Sequence, residues 1–285
     1  MDTLSPYLLC PVCKEQLVLA DDQKGLCCRN KHRFDRAKQG YHNLLLSQNK
    51  RSKHPGDTTE MVAARRDFLD QGYYANLAER FIHHAEEALA KDSEKAFHYC
   101  DLACGEGYYT HKLHTKLLSY FQEVYTSGID ISTPAIKSAC RRDKSINWWV
   151  GSAANIPLAD NSQDLVSGLF FHFDLEEISR TVRPGGHVIL VNTGPRHLIE
   201  LRRVIYDELK AETRTEFESL PTSLQHVKTD YFEQTIHLPS SQDITNLFSM
   251  TPHYWRCKPE KRTLLESLDT LDLQLDIQFD IFQKK

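Results

Sequence analysis

Cys100-Asp101-Leu102-Ala103-Cys104-Gly105-Glu106-Gly107 is the stretch on which the fold turns. The run at 97–102 predicts a short buried strand, and two glycines separated by one residue predict a sharp turn directly after it. Glycine has no Cβ, so such a turn lets the backbone reverse and lets a ligand approach it closely. Residues 108–118 then carry helical spacing. Working outward, strands are predicted at 125–130, 146–150, 165–170 and 187–191, with helices at 134–142 and 174–181 between them. A helix at 196–210, a strand segment at 235–238, a short helix at 243–250 and an alternating strand at 272–282 complete the pattern, and 75–89 reads as a helix leading into it. Strands alternating with helices, with a glycine turn after the first strand, predict an α/β fold built on a doubly wound parallel sheet.

The chain has 285 residues, 40% of them hydrophobic, enough for a real core. It has no long apolar run and no basic-then-apolar start, so neither a membrane span nor a secretory leader is expected. Cys100, Cys104, Cys140 and Cys257 are scattered, which suggests reduced thiols and a cytoplasmic protein. Residues 1–66 carry 12 Lys/Arg against 7 Asp/Glu, and the remainder 23 against 32. A basic N-terminal part on an acidic body fits a polyanionic partner, and equally an ordinary solvated surface.

The N-terminal part has its own chemistry. Cys10-Pro-Val-Cys13 followed by Cys28-Arg-Asn-Lys-His32 has the spacing of a Cys₃His zinc site, with Cys10, Cys13, Cys28 and His32 as ligands. Four protein ligands leave no open position, so the expected role is structural. Cys27 adjoins Cys28, and neighbouring side chains of an extended segment point to opposite sides, so only one can face the metal. The shorter spacing to His32 selects Cys28. A redox reading would need a βαβ unit around the pair, and none is visible. The expected organisation is a zinc-binding module at 1–36, a linker and bridging helix at 37–73, and a larger α/β domain at 74–285.

Asp130 ends the second strand of the large domain, 23 residues after Gly107. A carboxylate there can accept both ribose hydroxyls of an adenosine ligand. The dinucleotide fingerprint fails, because Tyr108, Tyr109 and Thr110 stand where its third glycine belongs. The motif instead resembles the first motif of class I S-adenosylmethionine-dependent methyltransferases, whose sheet is Rossmann-like. Gly151-Ser152-Ala153-Ala154-Asn155-Ile156-Pro157-Leu158, the Asp164-Leu165-Val166 strand entry and Arg183-Pro184-Gly185-Gly186 share the resemblance. One departure is Ala103, where many members have glycine. The candidate cofactor residues are Asp101, Gly105, Glu106, Gly107, Asp130 and Asn155.

The resemblance extends to the RlmA family of 23S rRNA guanine-N1 methyltransferases. It rests on the cysteine module, Lys50-Arg51-Ser52 with Pro55-Gly56-Asp57, and Ala64-Arg65-Arg66-Asp67-Phe68-Leu69-Asp70. Gly105-Glu106-Gly107-Tyr108-Tyr109-Thr110, Gly194-Pro195-Arg196-His197-Leu198 and Met250-Thr251-Pro252 add to it. It implies S-adenosylmethionine and structural zinc as cofactors, a 23S rRNA hairpin as partner, and a homodimer framing an RNA-binding cleft. Carried over by motif, it adds Tyr74 and His197 to the cofactor residues. From the residues alone, Tyr74 would be a core aromatic and His197 a helix-start histidine.

In class I enzymes the loop after the fourth strand faces the methyl group, and here it reads Phe170-Phe171-His172-Phe173-Asp174. RlmA relatives usually have an aromatic, a small residue and proline at this point. Guanine N1 carries a proton near neutral pH, so a base or a group stabilising the deprotonated form is expected. His172 and Asp174 are the candidate catalytic residues, with one of the three phenylalanines stacking on the base. The altered loop equally admits a different target or lost activity. For RNA grip the candidates are Lys50, Arg51, Lys53, Arg65, Arg66 and Arg196, with Arg202 and Arg203 beside them. A methyltransferase of another RNA or a small molecule, and a non-catalytic RNA-binding protein on the same scaffold, stand as alternatives.

Overall fold

The computed structural model describes residues 4–49, 52, 55–89, 96–209, 211–217 and 219–285. Near the N-terminus β1 (Val18–Leu19), β2 (Gly25–Cys27) and β3 (Arg33–Asp35) form a small antiparallel sheet, and β4 (His42–Asn43) leaves it. Two helices follow, α1 (Thr59–Asp70) and α2 (Ala75–Ala88). Thr58 caps α1 by accepting from the Met61 N–H, satisfying one of the donors that a helix start leaves unpaired.

The α/β body runs β5 (Phe97–Leu102), α3 (Tyr108–Leu117), β6 (Val124–Asp130), α4 (Thr133–Arg142), β7 (Asn147–Val150), β8 (Gln163–Leu169), α5 (Leu175–Thr181) and β9 (Val182–Thr193). It finishes with α6 (Ile199–Ile205), β10 (Leu224–Leu238), α7 (Ser241–Ser249), α8 (His253–Arg256), α9 (Pro259–Glu266) and β11 (Leu271–Lys284). The sheet order is β10-β11-β9-β8-β5-β6-β7-β4. β5 pairs in parallel with β6 on one side and β8 on the other, so the chain reverses its direction of winding at the end of β5. That crevice is where open α/β sheets take ligands.

Three expectations need correction. The sheet is mixed rather than parallel, because β11 runs antiparallel to both β9 and β10. β10 is far longer than the predicted 235–238, since between Leu224 and Ile236 every residue of this edge strand is exposed or half-buried and the alternation that marks a strand is weak there. α6 stops at Ile205 instead of 210, where Tyr206 turns extended.

The sheet separates two main hydrophobic clusters. One face packs Phe68, Leu77 and Phe81 of the first two helices against Tyr99, Ile189 and Phe279. The other takes Leu8, Leu17 and Leu26 of the cysteine module against Leu102, Trp149 and Leu158. Those three leucines are essentially inaccessible, and burial of each stabilises the contact by about 1.5–3 kcal/mol. The Leu9 N–H also donates to the Pro157 carbonyl at 2.9 Å, and β4 adds a parallel edge strand beside β7. The small module is thus stitched onto the large sheet. Among the described residues no helix is long and apolar enough to cross a membrane.

Candidate cofactor and metal sites

The turn after β5 is built as its glycines require. Gly105 has φ +57° and Gly107 φ +82°, both in the left-handed region that L side chains rarely enter. A Cβ at Gly107 would lie 2.6 Å from the Trp148 ring and 3.2 Å from the Ala139 Cβ. Close packing of α3 on the sheet therefore depends on that missing atom. Ala103 also adopts a left-handed φ of +52°, which explains why glycine suits this position elsewhere. At Gly105 a Cβ would meet only the Arg65 guanidinium, at 3.7 Å, so the turn is open on its outer side.

Carboxylates surround this turn. Asp130 accepts from the Gly105 N–H at 2.9 Å and the Ser132 N–H at 2.7 Å, fixing the loop to the end of β6. Each oxygen carries one of these bonds, and a carboxylate so engaged keeps further acceptor capacity. Glu106 is buried, and burial raises its pKa against the pull of Arg142, whose Nη2 lies 3.3 Å away. The Tyr109 hydroxyl is buried without a hydrogen-bond partner. An open glycine turn, carboxylates with spare acceptor capacity and an orphaned hydroxyl fit S-adenosylmethionine, whose ammonium and sulfonium suit an acidic surrounding.

Asp101 requires a correction. Its carboxyl lies inside the fold, accepting from the hydroxyls of Thr110 and, at 2.7 Å, Ser167. Burial pushes it up to about 7. It braces the loop from beneath and does not face a ligand. Asn155, expected at the cofactor, accepts from Lys14 Nζ of the cysteine module at 2.6 Å and so ties that module to the 151–158 loop.

Tyr74 is buried edge-on to Phe68, ring centroids 5.2 Å apart, in the cluster formed by the first two helices. His197 follows the Gly194 turn, with Nδ1 accepting from the Asp276 N–H at 3.4 Å. Burial lowers it to about 3, so the ring is neutral. The structure brings His197 to the candidate catalytic loop, where its ring stacks at 6.4 Å on Phe170.

That loop divides its residues. Phe171 and Phe173 pack into the cluster beneath, and Phe173 stacks on Phe217 at 5.9 Å. Phe170 is 40% exposed and holds φ +59°, a conformation rare for a bulky residue. Of the three, Phe170 is the one presented outward. His172 is exposed beside it. Asp174 is exposed, and its Oδ1 caps α5, accepting from the N–H groups of Glu176 and Glu177 at 3.1 and 3.3 Å.

In the N-terminal module Cys10, Cys13, Cys28 and His32 converge, their donor atoms all within 4.8 Å of one another. Cys13 and Cys28 sulfurs are 3.6 Å apart, and His32 Nδ1 is 3.6 Å from Cys10 and 3.5 Å from Cys28. Donors on a tetrahedral zinc would be separated by about 3.5–3.8 Å, so the set fits Zn²⁺. Cys27 lies outside it, in β2.

The basic residues scatter more than expected. Lys50, Arg51 and Lys53 lie outside the described residues. Arg65 is a correction: it turns inward, pairs with Asp57 and donates to the Met250 carbonyl at 3.1 Å beside Gly105, so it does not present a guanidinium to phosphate. Arg66 is partly exposed and pairs with Asp67 at 2.8 Å. Arg196 is exposed and donates to Gln274 at 2.9 Å. Sequence reasoning missed Arg142, and it missed Asp276, a wholly buried carboxylate next to His197. The alternation of β11 held the signal for Asp276, but it reads there as a solvent-facing polar stripe.

Comparison with known proteins agrees with this geometry. Residues 8–53 match the family described as "RlmA, N-terminal", and residues 100–190 match a "Methyltransferase domain". A Streptomyces fradiae protein named 23S rRNA (guanine(748)-N(1))-methyltransferase is 29% identical over 281 residues, covering 96% of each chain. Chains from Micromonospora griseorubida (28% identical, 91% of this chain and 90% of that one) and Bacillus subtilis (27%, 96% of each) are provisionally named 23S rRNA guanine-N1 methyltransferases.

Proposed function

We propose, from the premise that the chain is an S-adenosylmethionine-dependent methyltransferase carrying an RlmA-type zinc ribbon, that it methylates N1 of a guanine in a 23S rRNA hairpin. The observation that carries this reading is the joining of the two modules. The Cys₃His cluster and the glycine turn share one packed body, and Lys14 reaches from the first to the loop beside the second.

When bound, S-adenosylmethionine supplies an electrophilic methyl group. The chain positions its reactants, and alignment accounts for much of the acceleration in such transfers. Asp130, Gly105 and Glu106 hold the cofactor side, and neutral His197 backs Phe170. Phe170 stacks on a base drawn from its helix, and His172 contacts it. Partly exposed Arg66 and exposed Arg196, with Lys50, Arg51 and Lys53, meet RNA phosphates. The protein acts in the cytoplasm, and two copies frame the RNA cleft.

The test is transfer from labelled S-adenosylmethionine to unmethylated 23S rRNA, with nucleoside analysis of the product. Recovery of 1-methylguanosine is expected. A different modified nucleoside, or none while the cofactor still binds, refutes the reading. The His172→Ala variant is expected to lose at least tenfold in kcat/KM, and near-normal turnover removes His172 from the site.

A further inference from the structure

The last two strands carry a buried polar patch that the cofactor site does not use. Residues directly opposite in a β-ladder share a face. The β10/β11 register sets Glu233 opposite Asp276, Tyr231 opposite Gln278 and Thr229 opposite Asp280, and the β9/β11 register sets Asn192 opposite Gln278. One sheet face is therefore polar through three strands. It is nonetheless buried: Asp276, Gln278 and Asp280 are each no more than 3% exposed. The cover is the irregular segment before β10. Its Arg214 guanidinium lies 4.3 Å over the Tyr231 ring and donates to Asp276 Oδ1 at 2.9 Å, and Thr215 takes a hydrogen bond from Gln278 Nε2 at 2.8 Å.

The cover leaves hydrogen bonds unmade. Arg214 Nη1 and Gln278 Oε1 are both buried without a partner. Each such group costs on the order of 1–3 kcal/mol. A fold that needed this patch only as a staple would gain by pairing them. The patch also lies at the reacting edge. Asp276 Oδ2 accepts from the Arg196 N–H at 3.0 Å, the Asp276 N–H donates to His197, and His197 stacks on Phe170. A Cβ at Gly194 would lie 2.3 Å from Asp276 Oδ1, so the Gly194 turn is glycine to admit this carboxylate.

We propose that this patch is the guanine-reading subsite and that Arg214 is a plug occupying it until the base enters. The inference rests on the function proposed above. A guanidinium and the N1–H/N2–H edge of guanine present the same feature, a flat face and parallel N–H donors. The base takes Arg214's place over Tyr231, with an N2–H on the orphaned Gln278 Oε1 and N1–H on Asp276 Oδ1, and this carboxylate takes the N1 proton as the methyl–sulfur bond breaks and the methyl–N1 bond forms. Adenine offers no such pair of donors on that edge, so a buried carboxylate here rejects it.

The experiment measures kcat and KM for unmethylated 23S rRNA at saturating S-adenosylmethionine in the full chain, with cofactor affinity and Tm as controls. Asp276→Asn is expected to lose at least 100-fold in kcat/KM with cofactor affinity within threefold. Gln278→Leu, a milder change of similar volume, loses about tenfold, and keeps the test open if the first variant fails to fold. Arg214→Ala removes the competitor and lowers KM severalfold. Losses that instead track Tm in all the variants, or Gln278→Leu with unchanged kcat/KM, overturn the subsite. A wild-type chain yielding no 1-methylguanosine refutes the proposed function first and the subsite with it.

Discussion

Gly107→Ala tests whether the loop geometry governs the site. The residue sits at φ +82°, where a Cβ costs roughly 1–2 kcal/mol in backbone strain. The same Cβ would be 2.6 Å from Cη2 of Trp148, well inside contact distance. Trp148 cannot easily yield, because it is buried and its indole N–H donates to the Asp143 carbonyl at 2.7 Å. Overpacking of this kind costs about 1–3 kcal/mol, giving a total of about 2–5 kcal/mol. At about 2–4 °C per kcal/mol this is a fall in Tm of about 4–20 °C, with weakened cofactor binding by calorimetry. The double variant Gly107→Ala with Trp148→Phe should relieve the steric part and leave the φ part, so the two effects are non-additive. Ala103→Gly is the control and should be neutral or slightly stabilising. A Gly107→Ala protein with unchanged Tm and cofactor affinity would refute the argument.

Further outcomes follow from the same contacts. Cys28→Ser should lower bound zinc from one equivalent to none by metal analysis and loosen the module from the sheet, whereas Cys27→Ser should retain it. Arg142→Ala leaves Glu106, 2% exposed, without its closest cation, and should cost about 3–5 kcal/mol of stability in urea titration. His98, held to about 4 by burial, binds its proton in the unfolded chain first, so stability declines as pH falls from about 6.5 towards 4. Asp101 acts in the opposite sense: raised to about 7, it keeps its proton in the folded state and loses stability as pH rises from about 4 to 7. Asp101→Asn should therefore steepen the net loss on acidification, measured as Tm against pH; an unchanged profile would show that the burial does not act on that proton.

Much of this protein was written locally. Cys10, Cys13, Cys28 and His32 declare a metal by spacing, because tetrahedral coordination admits few separations. The turn at Gly105 and Gly107 declares itself because only glycine takes those φ values without strain, and Asp130 stands at a strand end any parallel sheet would place beside it. Alternation and helical spacing marked the strands and helices of the body for the same reason: each depends on neighbours within a few residues. What the tertiary structure decided is which side chains were already spoken for. Asp101 is consumed by two hydroxyls and Arg65 by Asp57 and the Met250 carbonyl. No local pattern reveals that, since a partner comes from a distant element. Asp276 is the clearest case. Its strand reads as one with a wet face, and only the covering segment that carries Arg214 removes that face from water and turns a surface stripe into a buried, selective one.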